Sequence, residues 1–530
     1  QQIHQPLTLI EAPDEEDEEE TAGEDSGELA EPGEEQPEGT GLTPGLALTA
    51  RRAQPSDAGR QAGEGPMARF LGNYLGFEIG TVTMEGKTYS KAIIKPRIET
   101  ENFRLGLYLP IIYNDDLFDY DHWYKPEGND EWSFGSDQDW EGDPAGAIGD
   151  LVGDLALKLH YLEWGEHRDP FYLKLGNLSS MGLGHGSIMK NYANDIDFPA
   201  VRQVGLNMGI RGKRGGFEAV LNDLAEPEIF GGRLFFSPIG KLTFGAASVV
   251  DIDPLAAAEQ SYVEAQDLGS MSFITGGVDA ELPLVEWEIL SIVPYADAAV
   301  LIPERNGEYY YDMLYDDSEG SSFDSFRNYG LSAGILGNIA MVDYTLEYRY
   351  KDGLYHHAFF GPNYERIRGT RVVEVNEYLD AMETGTTSEY EDTSMGVYGD
   401  AKATFFEAVA FSAGYYWPWK SVDTDYPETF GDEFSMSLRI LPDVIPVAGI
   451  HGGVSYQRTN FVPMLVTDDM TFFDAYAAFK GEVVYPIAPT IDLAGIFSTS
   501  VRHDEEGNVI YENGKPEMVP NITIETRVSF

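Results

Sequence analysis

The 530-residue chain contains no cysteine. That absence excludes disulfides, thiolate metal sites, cysteine nucleophiles and a lipid anchor carried on cysteine. Long apolar runs are missing as well: no stretch reaches the roughly 18 residues a transmembrane helix needs. Positive charge is scarce, with 35 Lys and Arg against 90 Asp and Glu, a net charge of −55. Nucleic acid is not an expected partner of so acidic a chain, because phosphate binding requires Lys and Arg surfaces. The nine His fall in no HExxH pattern, and no GxSxG or kinase-like set is present, so no enzyme is expected. The GLGHG at 182–186 lacks the Lys and the strand-to-helix context of a phosphate loop. No basic-then-apolar leader precedes Gln1, which reads as a mature terminus.

What is present is 57 Gly, 31 Tyr and 28 Phe in two regions of different character. Residues 1–67 are rich in Glu, Gly and Pro and almost free of aromatics, the composition of a disordered acidic tail. From 68 to 530 the sequence breaks into segments of alternating polarity, the signature of strands with one apolar and one polar face. The clearest sets Val342, Tyr344, Leu346, Tyr348 and Tyr350 against Asp343, Thr345, Glu347, Arg349 and Lys351. The last sets Ile522, Ile524, Thr526, Val528 and Phe530 against Thr523, Glu525, Arg527 and Ser529. About twenty such segments can be marked, from 75–85 to 519–530, including 155–163 and 471–485, and 16 to 20 strands are expected. Connections alternate between short ones, such as 99–102, 165–169 and 213–216, and long ones, such as 114–154, 178–203 and 352–394. Trp164, Tyr295, Tyr348, Tyr350, Tyr415, Trp417 and Tyr485 fall near strand ends, where amphipathic rings suit a membrane interface.

A terminal aromatic closing a period-2 strand, together with this loop rhythm, resembles the bacterial outer-membrane β-barrel proteins, porin-like in character. The resemblance implies an all-β, antiparallel up-and-down transmembrane barrel over 68–530, with short periplasmic turns, long surface loops and both termini in the periplasm. It makes Phe530 the assembly signal, with outer-membrane lipid and the barrel-assembly machinery as partners and a homotrimer as a plausible assembly. No cofactor is implied; carboxylate-rich surface loops such as NDDLFDYD could take Ca²⁺.

In such a barrel the polar faces line the lumen. The expected basic lining is Lys91, Lys95, Arg97, Arg104, Lys158, Lys174 and Arg211. The acidic lining is Asp279, Asp297, Asp343, Glu347, Asp400, Asp474 and Glu482 on later strands, so a wall of one sign would face a wall of the other. By topology alone, loop 178–203 is the one that narrows a porin, placing His185, Lys190, Asp195 and Asp197 in the channel. The function implied is a water-filled, cation-preferring channel for passive diffusion of ions and small polar solutes. The alternative is a structural or adhesive surface protein with acidic loops and a plugged barrel.

Overall fold

The computed structural model describes residues 75–530 except 101, 126–129, 167–168, 315–325, 387–392, 407, 423–429, 443, 445–448, 467–470, 505–507, 513 and 530. The acidic tail expected at 1–67 and the assembly signal expected at Phe530 lie outside the described residues.

Twenty strands form one closed antiparallel barrel. The first ten are β1 Leu75–Met84, β2 Lys87–Glu99, β3 in two pieces, Phe103–Leu107 and Leu109–Tyr113, β4 Leu159–Trp164, β5 Phe171–Gly176, β6 Gly205–Gly212, β7 Gly215–Leu221, β8 Ile229–Ile239, β9 Leu242–Asp251 and β10 Met271–Glu281. The second ten are β11 Leu290–Arg305, β12 Tyr329–Ile339, β13 Val342–Lys351, β14 Ser394–Phe405, β15 Val409–Pro418, β16 Glu433–Ile440, β17 His451–Thr459, β18 Ala477–Ala488, β19 Ile491–Val501 and β20 Met518–Ser529. Each pairs with the next, and β20 returns to β1 in a register running from Gly76↔Ser529 to Thr83↔Ile522. Closure leaves no unpaired edge, which a backbone in hydrocarbon requires.

Burial is inverted relative to a soluble protein. Ile79, Leu234, Val278, Leu346, Trp417, Val483 and Ile524 are exposed, while Lys91, Glu218, Arg233, Glu347, Arg349 and Glu525 are buried. Water on the outside would penalise such an arrangement, because charged side chains are the least often buried and exposed apolar patches of this extent are unstable. Lipid outside and polar groups inside make it the favourable one. The fold is therefore that of an outer-membrane β-barrel.

Short turns, such as Lys213–Arg214, Gly240–Lys241 and Ala340–Met341, collect at one end, and an even strand number returns the last strand to that end. The long connections collect at the other, joined there by one tight turn at Glu85 and Gly86, both with positive φ. Among the described residues, four α-helices lie in long connections: α1 Pro144–Leu157, α2 Gln260–Ala265, α3 Tyr364–Thr384 and α4 Phe461–Val466.

Two expected strands begin later than their alternation suggests. In 155–163 the first residues belong to α1, because Pro144 pre-sets the first turn and Asp143 caps it by accepting from the Gly146 N–H at 3.0 Å. In 471–485 the strand starts only at Ala477, because Asp474 turns back to accept from Arg458 at 2.6 and 2.9 Å.

Candidate functional site

The candidate site is the lumen. Inward positions follow from strand alternation, and opposite charges meet across neighbouring strands at the spacing that lets cross-strand pairs interact. Near the seam, Lys91 bonds Glu525, Lys95 lies 2.6 Å from Glu78, and Arg527 lies 2.7 Å from Glu482. Arg104 pairs with Glu163, and Arg211 lies 3.8 Å from Glu218. Arg233 sits between Glu218 at 3.5 Å and Asp279 at 2.7 Å. Across the barrel, Arg349 bonds Glu347 at 2.5 Å and Glu433 at 3.1 Å, with its guanidinium 4.1 Å from the Tyr398 ring.

The accessibility of these inward cations changes along the barrel axis. Lys95, Arg104, Arg211 and Arg527, toward the short-turn end, keep 30, 37, 35 and 29% of their side-chain surface. Lys91, Arg233 and Arg349, nearer the long loops, keep 7, 5 and 2%. The short-turn half is open to water, and the other half is filled.

What fills it is the protein's own connections. Loop 178–203 folds back on itself at Met181 and Tyr192, whose backbones exchange bonds of 2.7 and 3.0 Å. It then pairs with 356–360: the Ala358 N–H donates to Ser187 at 2.7 Å and the Lys190 N–H to Phe360 at 3.2 Å. Around this ribbon Met181, Ile188, Met189, Tyr355, Phe359, Phe360, Val372 and Leu379 form an apolar core with Val249, Phe273 and Leu301 of the wall.

Charged anchors tie the core down on several sides. His185 bonds Asp297 at 2.9 Å and Glu281 at 3.2 Å and stacks on Tyr295 at 4.4 Å. Burial alone would lower the His185 imidazole, but the hydrogen bonds and charges of Asp297 and Glu281 overcome it and push it up to about 9. Lys190 lies 3.7 Å from Asp400 and 3.9 Å from the Tyr398 ring. Arg366 of α3 donates to Asp197 at 2.6 and 2.9 Å, to the Ala477 carbonyl at 2.8 Å and to Thr499. On the β1–β3 side, Ala200 packs with Val82, Met84, Tyr89 and Ile112, and its carbonyl accepts from Tyr124 at 3.0 Å. Loop 178–203 thus crosses the lumen from β10–β14 to β1–β3.

Above α3, Val509 pairs with Ala258, Tyr511 stacks on Tyr262 at 3.7 Å, and the Tyr511 hydroxyl sits against Gly369, where a Cβ would not fit.

The sequence-derived positions distribute as follows. Lys91, Lys95, Arg104, Arg211, Asp279, Asp297, Glu347, Asp400 and Glu482 are on inward faces within the pairs above, except that Asp297 and Asp400 meet loop residues. Arg97 stands opposite Gly106, Lys174 between Glu163 and Asn207, and Asp343 opposite Lys402, all on the inward face. Lys158 is not on a strand: it follows α1, is buried, and bonds Glu131 at 2.6 Å under the Trp132 ring. Asp474 precedes β18 and serves Arg458. Asp195, partly buried, lies in the same loop as Asp197, and burial raises its carboxyl.

Basic and acidic walls do not face each other. The cations are interleaved with Glu78, Glu163, Glu218 and Glu525, none of which belongs to the expected acidic lining. Tyr295, expected at the interface, points inward and donates to Glu347 at 2.6 Å, whereas Trp164, Tyr348, Trp417 and Tyr485 are exposed. Arg366 and Arg233 were also missed; each sits in an alternating or helical pattern that gives no hint of its distant partner.

No protein-family model and no curated protein sequence matches this chain. Solved structures of similar architecture include the FrpB iron transporter from Neisseria meningitidis, at 7% identity and a TM-score of 0.33 over 86% of this chain and 82% of that one. FpvA of Pseudomonas aeruginosa bound to pyoverdine shows 10% identity and a TM-score of 0.32 over 86% and 71%. The siderophore receptor PirA from Acinetobacter baumannii shows 10% and 0.29 over 86% and 80%. At that level of overlap, what this chain carries is read from its own lumen.

Proposed function

We propose that the chain is an outer-membrane channel for ions and small polar solutes, cation-preferring, with its long-loop mouth occupied by 178–203 and 352–384. The observation that carries this reading is the inward charged wall whose cations become water-accessible toward the short-turn end. Such a wall is a solute path, because a barrel of this strand number leaves a lumen wider than its own side chains fill. Cation preference follows from the mouth: connection 114–158 alone holds thirteen Asp and Glu against two Lys. Fixed negative charge at a pore entrance concentrates cations and repels anions. In this proposal the short-turn end faces the periplasm, and assembly proceeds through the C-terminal strand.

Purified protein in planar bilayers should give stable channels whose reversal potential in a KCl gradient shows K⁺ preferred over Cl⁻. A bilayer that stays silent would instead support the structural or adhesive reading. The extent of the apolar core between α3, loop 178–203 and the wall favours that second reading.

A further inference from the structure

Helix α1 carries an exposed face that does not belong in water. Its outward residues are Pro144, Ala145, Ile148, Gly149, Val152 and Leu155, with Ile148, Val152 and Leu155 exposed to 53, 52 and 56%. No charged side chain stands on this face, although the connection around it holds thirteen carboxylates. The acids of α1 are turned the other way. Asp154 is fully buried and accepts from the Ser133 hydroxyl at 3.0 Å and the Phe134 N–H at 2.6 Å, and Asp150 accepts from Ser133 at 3.1 Å. The inner face is settled by Ala147, Gly153 and Leu157, with Gly153 against Ala225 of the β7–β8 connection.

This face continues the lipid belt. Only Lys158 separates α1 from β4, whose first residue, Leu159, pairs with Leu107 on the outward side of the sheet. At the Gly153 contact, Ala225 lies between Leu224, 41% exposed, and the exposed Glu226, and Phe230, second residue of β8, is 42% exposed. Apolar outward residues therefore meet the helix at Leu159 and Leu224, with the exposed Glu226 to one side of the contact.

We propose that α1 lies in the lipid surface at the long-loop rim, with Ile148, Val152 and Leu155 among the acyl chains and its carboxylates turned toward the loop. A helix with one uncharged face and one polar face partitions in this manner, with its apolar side buried several ångströms below the headgroups. The occupant of the face is lipid, because the face joins a surface that the barrel already gives to lipid.

The absence of cysteine makes the test direct. Single-cysteine variants Ile148→Cys, Val152→Cys and Leu155→Cys, with Glu141→Cys as an aqueous reference, are labelled with a fluorophore and reconstituted into phosphatidylcholine vesicles. Folding of each is checked by heat-modifiable migration, and variants that fold are compared using shallow doxyl-lipid quenchers and iodide in water. Lipid quenching about threefold or more stronger at 148, 152 and 155 than at 141, with iodide showing the reverse order, is the expected result. Iodide quenching of all four positions alike would overturn the proposal. Protection from both quenchers, with disulfide-linked dimers growing with protein density, would overturn it in favour of a second copy. Should a cysteine variant not fold, native-state hydrogen exchange of 144–157 with and without lipid gives the same decision. Slower exchange in vesicles than in a short-chain detergent is expected, and equal exchange would contradict it.

Discussion

At the residue scale, the lumen is held by charges whose cost of burial is met only by specific partners. Arg366 is 1% exposed and serves Asp197 and the backbones of β18 and β19 at once. Arg366→Leu is expected to destabilise the loop assembly by about 3–5 kcal/mol, since it strands a buried carboxylate. The double variant with Asp197→Leu should recover part of that loss, as a thermodynamic cycle from urea titration would show. His185 makes a pH prediction. Its folded value of about 9 stands above the ordinary value near 6.5, so its stabilisation is complete below about 6.5 and is lost as pH rises through about 9. Conductance should therefore rise with a midpoint near pH 9, and the rise should vanish in His185→Gln. At the seam, Gly80 stands against the Ile524 carbonyl of β20 with no space for a Cβ. Gly80→Val should impair closure by about 1–3 kcal/mol, seen as a lower heat-modification temperature. Unlike the place of Arg366, the strand of Gly80 and, by topology, the loop of His185 were legible. Their partners were not, because alternation says nothing about what lies across the lumen.

At the element scale, the strands were legible and α3 was not. Segments such as Val342–Lys351 separate two environments, lipid and lumen, so their period of two is written in polarity. Helix α3 has one environment nearly all round: Arg366, Arg368, Val372, Val375, Tyr378 and Leu379 are all buried. No apolar stripe marks it, and 352–394 reads as an ordinary long loop. Local signals were present in Asn363 before its first turn and Gly385, with positive φ, after its last. Phe360, fully buried against Tyr364 at 4.7 Å, couples that helix to loop 178–203. Phe360→Ala is expected to cost about 3–5 kcal/mol locally and to speed hydrogen exchange in both 178–203 and 364–384 while the strands stay protected.

At the scale of the whole molecule, strand number, closure and loop asymmetry all followed from polarity and spacing. The filling of the lumen was legible only as a topological expectation about 178–203. The second partner, 352–384, and the cap formed by Val509 and Tyr511 depend on contacts between segments far apart in sequence, which no single strand pattern encodes. The central claim is that a polar channel runs through this barrel and is obstructed by loop 178–203. Single-channel conductance of the full chain beside a variant lacking 184–197 tests it most directly. A clear rise in conductance with cation preference kept is the predicted result; unchanged conductance in a correctly folded variant would contradict it.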